Sequence, residues 1–306
     1  MFSGGASGYV IGMDGLNTLC VMPRPTCSSP ALPLAGERQQ TLARAVSCTG
    51  VGVHSGALTS LTLRPAPAGS GITFIRSDLP GDNRIPVAYD VVVDTRMCTA
   101  IANKAGARLS TVEHVMAALM GCGIDNAEVL VNGPEVPIMD GSSAEFVELI
   151  EEAGLTVQTA PRRHIRVLKT VRVEEADKWV SLAPATEASF AMEIEFASAA
   201  IGQQSRQFTL FNGNFAHELS EARTFGFMHE VEQLRALGLG KGGSLENAII
   251  IEGDKILNEG GLRYSHEFVR HKLLDAVGDL AMAGAPVLEA YRAHKGGHAL
   301  NNQLLR

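Results

Sequence analysis

Residues 268–279, FVRHKLLDAVGD, most narrowly limit what this chain can fold into. Val269, Leu273, Ala276 and Leu280 recur at spacings of three and four, the pattern of a helix with one face laid against a core. At about 100° per residue, His271, Asp275 and Asp279 fall in a strip on roughly the opposite side, each one turn beyond the last. An imidazole and a carboxylate at i and i+4 can both reach one ion from a rigid scaffold, as two of the three protein ligands a catalytic zinc usually takes. The same two side chains also make an ordinary ion pair on a solvated face. The rest of the chain has to decide between these readings.

With 306 residues, 45% of them hydrophobic and 19% charged, the chain can bury a sizeable core as one large or two ordinary domains. A net charge of -7 argues against a nucleic-acid surface but leaves room for a local basic patch facing a phosphorylated small molecule. No apolar run is long enough to span a bilayer. Cys20, Cys27, Cys48, Cys98 and Cys122 form no CxxC pair and are odd in number, as expected in a reducing, cytoplasmic compartment. Any metal site must then draw on the nine histidines and on carboxylates, which favours zinc among the divalent first-row metals.

Residues 1–36 are rich in Gly, Ser and Pro, show no helical or alternating period, and are expected to form a disordered extension. From Thr41 the pattern turns to strands broken by Gly and Pro, followed by a strand pair within 91–105. A helix should then start at Ser110, with Val112, Val115, Met116 and Leu119 as its apolar face. Ser110 and Glu113 fit a capping box, as do Ser142 and Glu145 ahead of a second helix. His114 lies off the apolar stripe in the first turn, where the helix dipole favours a neutral imidazole and an ionised Glu113. Those are the states needed of a metal ligand and a general base.

TAPRR, residues 159–163, reads as a linker, because the strand pattern restarts after it. LTSLTLRPAPAGSGITFIR and KWVSLAPATEASFAMEIEF share alternating strands joined through a Pro-Ala turn, each followed later by two helices, which suggests an internal duplication. The expected domains are therefore 37–160 and 161–306, the second carrying a βαβ-type insertion over 228–261. GLGKGG within that insertion lacks the GK[ST] of a phosphate-binding loop. His298 follows two glycines after a strand and is expected on a loop, solvated or catalytic.

Together, LSTVEHVMAALMGCGIDN, PIMDGSSAEF, SEARTFGFM, FVRHKLLDAVGDL and GGHALNN resemble the UDP-3-O-acyl-N-acetylglucosamine deacetylases, the zinc amidases of bacterial lipid A biosynthesis, from about Thr41 to the C-terminus. The resemblance implies an α+β fold of two similar domains, each a β-sheet with two helices, with the helices sandwiched between the sheets. It implies that His114, His271 and Asp275 ligate zinc, that Glu113 is the general base, and that Thr224 stabilises the oxyanion. His298 would be a cationic general acid oriented by Asp279, while Lys272 and Phe225 would contact the substrate. The implied partner is a UDP-linked acylated amino sugar whose acyl chain enters a passage shaped by the two insertions, and a monomer is expected. A metalloamidase with another N-acetyl substrate would keep the same site residues. A binding protein clamped by zinc would instead need a closed, four-ligand site.

Overall fold

The computed structural model describes residues 38–306 apart from Asn212, so the expectation for residues 1–36, with Cys20 and Cys27, lies outside the described residues. In the first half the chain runs through β1 (Arg38–Leu42), β2 (Val46–Val51), β3 (Leu58–Pro65), β4 (Ile72–Arg76) and β5 (Arg84–Pro86). Three short strands follow, β6 (Val92–Asp94), β7 (Ala100–Ala102) and β8 (Arg108–Leu109), then α1 (Glu113–Gly121), β9 (Ala127–Val131), α2 (Ala144–Ala153) and β10 (Leu155–Pro161). The second half opens with β11 (Ile165–Arg166), β12 (Val171–Glu175), β13 (Lys178–Pro184), β14 (Ser189–Glu195), β15 (Gln203–Thr209) and α3 (Asn214–Glu218). It continues through β16 (Phe225–Phe227), α4 (Met228–Ala236), β17 (Ile249–Glu252), β18 (Lys255–Ile256), α5 (Glu267–Ala281), β19 (Val287–His294) and α6 (His298–Leu305).

The two main sheets repeat one topology. The first has the order β2-β3-β9-β4-β5 and the second β12-β13-β19-β14-β15, with β11 added alongside β19. In each, the late strand fills the middle: β9 is antiparallel to β3 and parallel to β4, and β19 is antiparallel to β13 and parallel to β14. The duplication suggested by the strand pattern is therefore present in the connectivity. Alternation gives each sheet one apolar face, with Leu61, Leu63, Phe74 and Val129 buried in the first and Val180, Phe190, Met192 and Tyr291 in the second. The opposite face of the first sheet carries hydroxyl pairs, Ser47 with Thr62 and Thr49 with Ser60.

The helices form the layer between these faces. α1 packs along α5, α2 lies on β2, α5 on β14 and β15, and α6 on β12 and β13. This removes one of the two readings of the strip on α5, the ordinary pair on a solvated face. His271, Asp275 and Asp279 are as buried as the apolar residues, because α5 has protein on both sides. The close approach depends on Gly278, whose missing side chain leaves room for the Glu113 backbone of α1.

Four local expectations change. α1 starts at Glu113 with no side-chain cap, because the Ser110 amide is taken by the Pro134 carbonyl. α2 starts after Ser143, whose hydroxyl donates to the His114 carbonyl, while Ser142 bonds Asp140, so no capping box closes there. The TAPRR segment is not a free linker, since β10 runs through Pro161 and pairs antiparallel with β1. The segment around 91–105 forms strands of a three-stranded sheet, β6-β7-β8, rather than an isolated pair. Over 225–252, β16 and β17 are parallel and joined through α4, a βαβ unit.

Candidate functional site

The crossing of α1 and α5 brings together three donors from distant parts of the chain. His114 Nε2 lies 3.6 Å from Asp275 Oδ1, and His271 Nε2 lies 3.5 Å from the same oxygen. The two rings meet edge to face with centroids 5.0 Å apart. His271 Nδ1 sits 2.9 Å from the Ala222 carbonyl, which can only accept, so Nδ1 carries the proton and Nε2 presents its lone pair to the cluster. Lys272 Nζ donates to Asp275 Oδ2 at 2.8 Å, which leaves Oδ1 to face the imidazoles. Among the described residues this is the one group whose ligand atoms, all within 4.8 Å of one another, could hold a metal ion. His114 turns Nε2 to the cluster, while its Nδ1, on the far side of the ring, is buried without a hydrogen-bond partner in the protein. Two imidazoles and a carboxylate suit a divalent first-row cation, and three donors leave a coordination position open.

Two buried titratable groups, Glu113 and His298, flank this cluster. Glu113 Oε2 accepts the Thr99 backbone N–H at 3.0 Å, while Oε1 lies 4.0 Å from His298 Nε2. His298 Nδ1 is 2.8 Å from Asp279 Oδ2, which also accepts from Asn301 Nδ2 at 2.8 Å. The Thr99 hydroxyl donates to Asp279 Oδ1 at 2.6 Å, and the Tyr291 hydroxyl donates to Asn301 at 2.7 Å. His298 is not on a loop: it is the first residue of α6, with Gly297 as cap residue. A helix N-terminus disfavours an imidazolium, so its charge has to come from Asp279.

The electrostatics follow from burial and pairing. Burial works against the His298 cation, but the Asp279 carboxylate and its hydrogen bond, with Asp275 and Glu113 beyond, outweigh it and raise the imidazole to about 9. Burial pushes the Glu113 carboxyl up, partly offset by His298 and His114. This opposes the ionised state that the helix dipole alone would favour. Burial lowers His271 to about 4, keeping it neutral as a ligand must be. Asp275 is also penalised by burial, yet Lys272 and the two histidines hold it well below the usual carboxylate range.

The remaining site candidates line the same cleft, of about 550 Å³, which opens over His114, His271 and Asp275. Thr224 and Phe225 stand at the start of β16, fixed by the Thr224 amide on the Gly141 carbonyl and the Ile249 amide on the Thr224 carbonyl. Phe225 packs edge-on against Phe268 and His271. Arg223 ties this segment to the first residue of α5, through a buried pair with Glu267 at 2.9 Å. Further walls come from Phe196, Val231, Leu234, Leu245, Ile250 and Leu257, largely from the βαβ unit. Asp279 stands behind His298 rather than in the cleft. Thr99, Asn301, Tyr291 and the Ala222 carbonyl were not singled out from the sequence, because their roles arise from contacts between distant segments and no local spacing marks them.

A protein-family model described as LpxC, UDP-3-O-acyl N-acetylglycosamine deacetylase, matches residues 39–306. A UDP-3-O-acyl-N-acetylglucosamine deacetylase of Phenylobacterium zucineum is 51% identical over 269 residues, covering 88% of this chain and 92% of the relative. Enzymes of the same name from Myxococcus xanthus and Vibrio parahaemolyticus are 50% and 49% identical over 88% of this chain, and 85% and 89% of their own lengths.

Proposed function

The chain belongs to the UDP-3-O-acyl N-acetylglycosamine deacetylase family, and from that premise we propose that it removes the N-acetyl group of UDP-3-O-acyl-N-acetylglucosamine, releasing acetate, as a zinc-dependent deacetylase of lipid A biosynthesis. The observation that carries this reading is the position of Glu113 and His298, on two different helices yet 4.0 Å apart, at the edge of one buried donor cluster. Amide hydrolysis needs an activated water, charge stabilisation on oxygen, and a proton for an amine that otherwise will not leave.

His114, His271 and Asp275 would hold the zinc, which when bound supplies Lewis-acid polarisation of a water and of the acetamide carbonyl. Glu113 takes the proton of the attacking water through Oε1, its other oxygen being held by the Thr99 amide. The Thr224 hydroxyl, at the cleft wall, donates to the developing oxyanion. His298, cationic through its pairing with Asp279, protonates the leaving amine from Nε2. Lys272 and Phe225 contact the substrate's polar and sugar portions, and the apolar walls from the βαβ unit take the 3-O-acyl chain. No helix among the described residues is long and apolar enough to cross a membrane. The proposal includes a cytoplasmic monomer with domains at 37–160 and 161–306.

Metal content and acetate release from UDP-3-O-acyl-N-acetylglucosamine, for the wild type and His271→Ala, test the reading. Stoichiometric zinc and turnover in the wild type, both lost in the variant, are expected. Bound zinc with no acetate release at any acyl length would turn the assignment to a metalloamidase with another N-acetyl substrate or to a zinc-clamped binding protein.

A further inference from the structure

Thr99 spends all three of its polar groups on the general base, on the carboxylate that orients the general acid, and on the helix that carries the base. It lies directly before β7 and is buried. Its carbonyl accepts the Val112 N–H at 3.2 Å, at the start of α1, in the place where the expected Ser110 cap is missing. Its own N–H donates to Glu113 Oε2 at 3.0 Å, and its hydroxyl donates to Asp279 Oδ1 at 2.6 Å, across 180 residues of sequence. The hydroxyl bond is short, as expected of an O–H donor to a carboxylate.

The geometry leaves each reacting group tied at one end and free at the other. Glu113 is held at Oε2 and offers Oε1; His298 is held at Nδ1 through Asp279 and offers Nε2. Both tethers lead back to Thr99. Asp279 has three donors, Thr99, His298 and Asn301, so its carboxylate has little freedom to rotate as long as the hydroxyl is present. We propose that Thr99 is a positioning residue that sets the general base of the first half and the general acid of the second at a fixed separation, the backbone N–H holding the one and the hydroxyl holding the orienting carboxylate of the other. The proposal rests on the deacetylase reading above, since it assigns base and acid as given there.

Thr99→Val removes the hydroxyl but keeps the branched shape and both backbone bonds, while Thr99→Ser restores the hydroxyl on a smaller side chain. In the metal-loaded enzyme, kcat for acetate release is expected to fall roughly 10- to 100-fold in Thr99→Val with KM within about 3-fold, and to return to within about 3-fold of wild type in Thr99→Ser. In an Asp279→Asn background the valine substitution should add little, because the bond it breaks is already compromised. A second readout needs no turnover: the His298 Nδ1 proton resonance, identified by its loss in His298→Gln, should shift in Thr99→Val and return in Thr99→Ser. If the valine variant does not fold, Thr99→Ala takes its place in the same comparison. Undiminished kcat with an unmoved resonance in the hydroxyl-free variant overturns the proposal. So does equal loss in the valine and serine variants, which would mean that Thr99 matters only for packing. A wild type without acetate release, but with the resonance shifting as described, would sink the deacetylase reading and leave the link between Thr99 and His298 standing.

Discussion

Gly278→Ala puts the α1–α5 crossing to a quantitative test. A Cβ added at this position would fall 2.8 Å from the Glu113 carbonyl carbon and 3.1 Å from its Cα, and closer still to its oxygen, whereas ordinary contact begins at 3.4 Å. The obstacle is backbone on one side and helix on the other, so no side chain can rotate away. The two helices must therefore part by roughly 1 Å at the point where Glu113 and His114 face His271 and Asp275, and overpacking of this kind costs about 1–3 kcal/mol. Misplacement of catalytic groups by about 1 Å costs on the order of 100-fold in rate. The 3.6 Å distance from His114 on α1 to Asp275 on α5 would lengthen while the His271–Asp275 distance within α5 stays at 3.5 Å, so the donor set opens on one side and metal affinity should fall with turnover. The assay is metal content by mass spectrometry, acetate release and thermal melting on the same preparation. A variant that melts a few degrees lower but binds metal and turns over as wild type does would refute the argument that Gly278 sets the spacing of the site.

Other perturbations follow from the same structure. His298 is cationic below its pKa of about 9 and loses the acid form as pH rises through it, so the alkaline limb of kcat should lie near pH 9 and move down by roughly 1–2 units in Asp279→Asn; an unmoved limb would remove His298 as the acid. Glu289 is buried on β19, its Oε2 lacks a partner, and burial raises its carboxyl from 4.5 to about 8. Between those values the unfolded chain is ionised while the folded one stays protonated, so stability drains as pH rises across the window, by on the order of a few kcal/mol in all. Glu289→Gln should therefore melt higher than wild type by a margin that grows from pH 5 to pH 8, and a constant margin would contradict the assignment. Glu267→Ala leaves the Arg223 guanidinium buried without its carboxylate and should cost about 3–5 kcal/mol. Because Arg223 also anchors the Ala222 carbonyl that orients His271, metal affinity in that variant should drop as well; wild-type affinity would separate the two functions.

Periodicity located α5 and its two strips, but it could not say that both strips are covered. The apolar spacing reports where the greasy residues lie, and the second covering surface, α1, comes from far along the chain. The two S-x-x-E patterns misled for a related reason. A capping box is a local option, and here the Ser110 amide and the Glu113 carboxylate each found partners in other segments. TAPRR looked like a linker because nothing nearby competes for it, whereas β1 pairs with it from more than a hundred residues upstream. At His298 the paired glycines concealed the start of a short helix, since HALNNQLL is too short and too polar to show a clear period. Spacing pointed to His271 and Asp275 as a possible ligand pair, but the full set of proposed ligands and catalytic residues came only from the resemblance carried by five motifs. The network of Thr99, Asn301 and Tyr291 behind them has no sequence pattern, being made of single residues that meet only in the folded chain.

The late arrival of β9 and β19 in the centres of their sheets has a consequence for biosynthesis. During translation β3 and β4 each pair on one side, with β2 and β5, but the edges they turn to each other stay open, as do those of β13 and β14, until the central strand leaves the ribosome. In the second half that wait lasts from residue 195, the end of β14, to residue 287, the start of β19, nearly a third of these 306 residues. A nascent chain stalled in that interval has two hairpins, β12-β13 and β14-β15, each with one open strand edge, and has neither His298 nor a joined sheet, which makes it a substrate for chaperones and proteases rather than a slow enzyme.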